Sequence, residues 1–330
     1  MKKKWAILFL LLISFLSCAQ EESELYTIAI FQINDAPTLN VVREAFIQAL
    51  NDGGLRDGEN VRLILKNAMG DIPEVQKIAL SFVAQKVDLI VAFSTPCFQA
   101  AMHATREIPI VFSSVANPFL AGAGSTEENR VPNVAGVSSE GPIKETLAFI
   151  KEVLPNAKRI GTLWTPSELN SKYYLDLAIE SADKLGMEIV AVPVTNSSEV
   201  LLATQVLINK KIDAIYQISD NTINSAFEAV GKIAEENGVP LFGGQPYSTQ
   251  LGACAAMGWD FFDMGYQAGE IALRIKSGED PARISFQYMN DVQLHLNLEA
   301  AKKQGVHFSE DIMSRADEIL PENNQISGSS

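Results

Sequence analysis

The chain has 330 residues, 47% of them hydrophobic, and a formal net charge of −14. That is enough apolar material for two cores, and too acidic a balance for a nucleic-acid partner. His103, His295 and His307 are scattered without ligand-pair spacing, and the cysteines lack metal-type spacing, so no metal or cofactor is expected.

Residues 1–18 have the layout of an export signal: Lys2, Lys3 and Lys4, an apolar run over 5–13, and a close at Ser17 and Cys18. The run is too short to favour a spanning helix. Ser17 before Cys18 resembles the lipobox of bacterial lipoproteins, whose cysteine becomes the lipidated first residue, although Phe15 and Leu16 depart from the pattern. Cleavage after Ala19, releasing a soluble secreted form, is the alternative. Residues 19–25 read as a polar tether, and Cys97 and Cys254 as buried free thiols.

From residue 26 the pattern alternates. Strands are predicted over 26–31, 61–67, 88–93 and 109–112, with helices over 39–50, 72–85 and 98–105 between them. The segment 133–138 is expected to cross to a second half, where the helix 142–154 precedes a new series. That series has strands over 159–164, 188–193, 213–218 and 239–242, and helices over 173–185, 200–209 and 223–237. Asp88-Leu89-Ile90-Val91 answers Asp213-Ala214-Ile215-Tyr216, each after a helix and a lysine-containing turn, and Ile108-Pro109 answers Val239-Pro240. The fold class is therefore α/β, with two similar doubly wound parallel-sheet lobes and a ligand cleft between them. A strand over 254–259 and a helix over 262–277 are expected to cross back, followed by a strand pair or hairpin over 287–297 and a short helix over 298–304. These assignments give lobe 1 as 26–136 plus about 260–285, lobe 2 as 137–259 plus about 286–320, a multi-strand hinge, and a disordered polar tail at 321–330.

Chemistry is sought first in enzyme motifs, and none is complete. There is no dinucleotide fingerprint, phosphate-binding loop or Gly-x-Ser-x-Gly elbow. The polar ends of the strands form a better set, because ligands of open α/β sheets bind beyond the carboxyl ends of the strands. Gln32 follows the first strand, Ser94 and Thr95 the third, and Ser113, Ser114 and Asn117 the fourth. In the second half Asn170 and Ser171 follow the first strand and its loop, Asp220 and Asn221 the third, and Gln245 the fourth. For Ser94, Thr95 and Ser171, helix capping and ligand binding remain open together. Asp220 either caps the helix that follows or pairs with a ligand ammonium, opposite hydroxyls and N–H groups that receive a carboxylate. Trp164, at a strand terminus, is placed to close over a flat apolar side chain.

The chain from about residue 26 to about 305 resembles the substrate-binding proteins of bacterial ABC importers, in the type I periplasmic-binding group that includes tryptophan and tyrosine binders. The likeness rests on Ile28-Ala-Ile-Phe-Gln32, 88–96 with its Ser-Thr-Pro, 109–118, Asn133-Val-Ala-Gly-Val-Ser138, Asn170-Ser171 and Ser219-Asp-Asn-Thr222. It implies that Ser94 and Thr95, with Ser113 or Ser114, hold the ligand from the first lobe, while Asn170, Ser171 and Asp220 meet it from the second. Asn117 stands before Pro118 where relatives often carry an acid, so no charged role is assigned to it. The implied function is capture of a small, aromatic amino acid for a membrane ABC permease, without catalysis, by a monomer outside the cytoplasm and lipid-anchored through Cys18. A ligand-sensing receptor of the same fold, and a sugar, nucleoside or aliphatic amino acid as ligand, are the alternatives; a secreted enzyme is a further rival.

Overall fold

The computed structural model describes residues 25–321. Cys18, the expected export signal, the expected tether up to residue 24 and the expected tail from residue 322 lie outside the described residues. The first lobe opens with β1 (Tyr26–Gln32), α1 (Pro37–Asp52), β2 (Val61–Asn67), α2 (Ile72–Ala84), β3 (Leu89–Phe93), α3 (Thr95–Ala104), β4 (Ile110–Val115) and β5 (Val134–Ser138). β3 and β5 are buried along their whole length, which is why each reads as an unbroken apolar or small-residue run rather than an alternating one. The second lobe repeats the plan with α4 (Ile143–Val153), β6 (Arg159–Trp164), α5 (Leu169–Lys184), β7 (Glu188–Pro193), α6 (Val200–Asn209) and β8 (Ala214–Gln217). α7 (Asn221–Asn224), α8 (Phe227–Asn237), β9 (Leu241–Gly243) and β10 (Ala255–Gly258) complete it. After it come α9 (Phe261–Lys276), β11 (Gln287–Tyr288), β12 (Gln293–Asn297), α10 (Leu298–Lys303), α11 (Glu310–Ser314) and β13 (Glu318–Leu320).

The sheets run β11-β5-β4-β3-β1-β2 and β13-β12-β10-β9-β8-β6-β7. Within both lies the same parallel order, in which the first strand of each lobe sits between the second and the third. The duplication extends to single atoms. Asp88 Oδ2 accepts from the Thr27 N–H at 2.7 Å, and Asp213 Oδ2 accepts from the N–H groups of Lys158 and Arg159 at 2.7 and 2.8 Å. Each aspartate therefore pins the start of the neighbouring strand, and the lysine two residues before it adopts a left-handed backbone, φ 53° at Lys86 and 56° at Lys211.

Several segments differ from expectation. Residues 134–138 form a strand of the first sheet rather than a crossing, packed so closely on β4 that a Cβ at Gly136 would lie 2.2 Å from the Phe112 carbonyl oxygen. Residues 287–297 are no hairpin: β11 pairs parallel with β5, and β12 pairs antiparallel with β10. The turn-like residues between them carry the chain from one sheet to the other, a long-range choice without local signal. α3 begins at Thr95, because Pro96 fits a first helical turn. α5 begins at Leu169, which brings Asn170 and Ser171 into its first turn, and the expected helix 223–237 is broken at Ala226 into α7 and α8. α9 lies against α1 on its small residues: a Cβ at Gly265 would meet the Val42 carbonyl oxygen at 2.2 Å. No helix among the described residues is long and apolar enough to cross a membrane.

Candidate functional site

The chain passes between the sheets after β5, after β10 and after β11, and the cleft lies beside these passages. Between the lobes is a cavity of about 30 Å³. Thr38, Leu39, Ser114 and Ala116 line it from the first lobe, Asn170, Tyr174, Ser219, Asn221, Asn224 and Gln245 from the second, and Trp259 and Phe261 from the passage joining β10 to α9. A space of that size holds on the order of two water molecules, so a larger ligand enters only when the lobes part. Contacts across the cleft are direct. The Asn34 Nδ2 donates to the Asn221 carbonyl oxygen at 2.8 Å, and Leu169 of the second lobe packs on the first lobe's core.

On the second lobe, Asp220 is fully buried at the end of β8. Its Oδ1 accepts from the Ile223 N–H at 2.9 Å and from the Thr165 hydroxyl at 3.0 Å, so it does cap α7. Its Oδ2 has no partner of good hydrogen-bonding geometry, although the Ser171 hydroxyl beside the carboxyl favours its charged form more than the Ile223 and Thr165 contacts do. Burial first, and the neighbouring Glu168 carboxylate second, push the Asp220 carboxyl up to about 7, and among the described residues no lysine, arginine or histidine acts on it. Capping thus uses one oxygen and leaves the other for a donor. Asn170 donates to Glu168 Oε2 at 3.2 Å while its own buried Oδ1 is unpartnered, and Ser171 Oγ accepts from the Thr165 N–H at 2.9 Å. Gln245 donates to the Ser219 hydroxyl at 2.9 Å, which fixes two cavity-lining groups together.

On the first lobe, Ser94 closes β3 with φ 100°, a strained backbone for a residue with a Cβ. Its hydroxyl is buried beside the Cys97 thiol without a good hydrogen-bond partner, and it does not cap α3. Thr95 accepts from the Ala116 N–H at 3.4 Å. Ser113 and Ser114 stand where the β4 to β5 register shifts; Ser114 has φ 57° and lines the cavity, whereas Ser113 donates to the Met264 carbonyl at 3.4 Å.

Of the expected site residues, Ser114, Asn170, Asn221 and Gln245 line the cavity, Ser94, Thr95, Ser113, Ser171 and Asp220 are buried outside its lining, and three more have their side chains engaged elsewhere. Gln32 donates to the Asn34 carbonyl and to Asn40 Oδ1, and accepts from Arg43 at 2.8 Å, so its polar atoms are already used inside the first lobe. Asn117 accepts from the Leu120 N–H at 3.0 Å and approaches the Tyr173 phenol rather than the cavity. Trp164 is half-buried against the second core and is not among the cavity-lining residues; the tryptophan that reaches the cavity is Trp259, whose indole donates to the Glu140 carbonyl at 2.9 Å. Glu168 and Tyr174 are also unanticipated. The signal for Glu168 is the one that marks Asp220, an acid just beyond a buried strand; Tyr174 and Trp259 carry no local signal.

Two α/β lobes closing on a small polar-lined cleft define a ligand-binding protein, and the fold is that of type I periplasmic binding proteins. Residues 27–320 match the family model described as ABC transporter substrate binding protein, and the chain belongs to that family. A tyrosine-binding protein of Clostridioides difficile (strain R20291) is 38% identical over 275 residues, 83% of this chain and 79% of that protein. The structure of an ABC domain in complex with L-Trp from Streptococcus pneumonia superposes with a TM-score of 0.85 at 26% identity, over 90% of this chain and 100% of that one. A ligand-free, open substrate binding protein with adhesive properties from Clostridium difficile gives a TM-score of only 0.67 at 34% identity, with the same coverage. The family's members are extracytoplasmic proteins that work with a membrane permease.

Proposed function

We propose that this chain captures an aromatic amino acid in its cleft and presents it to an ABC permease. The observation that carries the reading is Asp220: a buried carboxyl with one oxygen lacking a hydrogen bond of good geometry and, among the described residues, no cation acting on it. A ligand ammonium supplies the missing charge and donor together. Ser94 and Ser114, with Thr95 at the start of α3, receive the carboxylate from the first lobe, and Asn170 turns its free Oδ1 to the ammonium. The aromatic class draws support from the tyrosine-binding relative, the L-Trp complex and the rings of Trp259, Phe261 and Tyr174 about the cavity. In this reading the protein is an exported monomer, held at the membrane by lipid on Cys18, and closure is driven by contacts that only the closed lobes make with the ligand. Isothermal calorimetry against the twenty amino acids, with Asp220→Ala and Ser94→Ala beside the wild type, tests it. Binding confined to aromatic amino acids and lost in Asp220→Ala is expected; no binding by any amino acid, or full binding by Asp220→Ala, contradicts it.

A further inference from the structure

The ammonium contact leaves Glu168 without a role, although its setting is unusual for an acid. The side chain is 3% exposed, and both oxygens are filled. Oε2 accepts from the Asn221 N–H at 3.1 Å, from Asn221 Nδ2 at 2.6 Å and from Asn170 Nδ2 at 3.2 Å. Oε1 accepts from the Thr222 N–H at 2.9 Å and from its hydroxyl at 2.7 Å. Five donors around two oxygens suit an ionised carboxylate, which can only accept. The loop after β6 is thereby tied to the first turn of α7, and two cavity-lining residues, Asn170 and Asn221, are held by one side chain.

Asp220 shares this dry region, its Oδ2 unfilled. Of the groups that act on it, only Glu168 is titratable. Three charged groups of neighbouring elements are engaged elsewhere: Lys172 of α5 with Asp176, Arg43 of α1 with Gln32 and Asn40, and Asp35, beyond β1, with Gln32 and Asn67. Two adjacent buried carboxylates without a cation are costly when both are ionised, and the one with fewer donors takes up the proton.

We infer that Glu168 is a positioning residue that couples ligand capture to proton release: it fixes Asn170, Asn221 and Thr222, and its charge keeps Asp220 protonated until a cationic ligand arrives. When the ammonium docks, the Asp220 proton passes to solvent and the carboxylate pairs with the ligand. The inference rests on the ammonium reading of the site for its ligand step, but its first step belongs to the ligand-free protein. A neutral ligand such as a sugar would not displace the proton, so the same device favours amines over uncharged molecules of similar size.

Two measurements test it. In the ligand-free protein carrying ¹³C-labelled aspartate, the Asp220 carboxyl, assigned by its loss in Asp220→Asn, should titrate in the neutral range. In Glu168→Gln it should move down by about one pH unit or more, and in Glu168→Asp, which keeps the charge, it should stay high. Titration in the ordinary aspartate range in the wild type, or the same midpoint in a folded Glu168→Gln, overturns the inference. Calorimetry with L-tyrosine and L-tryptophan in phosphate and in Tris near pH 7 should show release of a large fraction of a proton per bound ligand, and clearly less in Glu168→Gln. Binding without proton exchange overturns the coupling and spares the amino-acid reading; absence of binding with a high, Glu168-dependent Asp220 titration overturns the ammonium reading and the coupling together.

Discussion

The Asn34 side-chain amide donates to the Asn221 carbonyl oxygen across 2.8 Å, a bond that spans the cleft from the end of β1 to the end of β8. Both ends are braced: Asn34 Oδ1 accepts from the Ala36 N–H at 3.1 Å, and Glu168 accepts from Asn221. Because its partners belong to different lobes, the bond exists only when the lobes are together. Asn34→Ala removes it at a cost of about 1 kcal/mol to the closed form, roughly five-fold in affinity. Small-angle scattering should show a more open ligand-free protein, with calorimetry showing the weaker binding. Scattering and affinity both unchanged would mean that this bond does not contribute to closure.

The raised Asp220 carboxyl makes stability depend on pH in a definite direction. The folded chain keeps the Asp220 proton to about 7, whereas the unfolded chain loses it near the ordinary aspartate value of 3.8. Between those limits the folded state binds more protons, so Asp220 adds stability at low pH and that contribution is lost as pH rises through the window. Thermal melts of the ligand-free protein at pH 5 and pH 8 should show a larger fall for the wild type than for Asp220→Asn, with the variant melting higher at pH 8. Equal falls would rule out Asp220 as the group responsible.

The two tryptophans among the described residues should separate cleanly. Trp259 lines the cavity, while Trp164 lies half-buried against the second core away from it. A ligand-induced change in intrinsic fluorescence should therefore survive Trp164→Phe and largely vanish in Trp259→Phe. The reverse result would return the site to the end of β6.

The contact between α9 and α1 supports the first lobe. With a Cβ at residue 265 placed 2.2 Å from the Val42 carbonyl oxygen, Gly265→Ala must push two helix backbones apart. A loss of about 2 kcal/mol or more is expected, read as a lowered melting temperature. An unchanged melting temperature would show that the helix pair yields without cost.

The alternation of strands and helices is legible in the sequence because strands covered on both faces are continuous apolar runs between turn residues. The duplicated aspartates, Asp88 and Asp213, betray the repeat because they do the same work in both lobes. Asp220 stands out as an acid after such a run, and it serves both readings open to it, capping α7 with one oxygen and leaving the other free. What stays hidden depends on pairings distant in the chain. The choice of Trp259 over Trp164 follows from β10 lying between β9 and β12, and the failure of 287–297 to form a hairpin follows from β11 joining β5. Gln32 misleads for another reason: a polar residue at a strand end can be satisfied inside its own lobe, as Arg43 and Asn40 satisfy this one.

The pairing of Asp220 with a ligand ammonium is tested most directly by removing the ammonium. Calorimetry would compare the tightest-binding aromatic amino acid with its des-amino analogue, on the wild type and on Asp220→Asn. The account predicts that the wild type loses roughly a hundred-fold or more in affinity for the analogue, the scale of a lost buried charge-assisted hydrogen bond, and that Asp220→Asn discriminates far less between the two. Equal binding of both ligands by the wild type would contradict it.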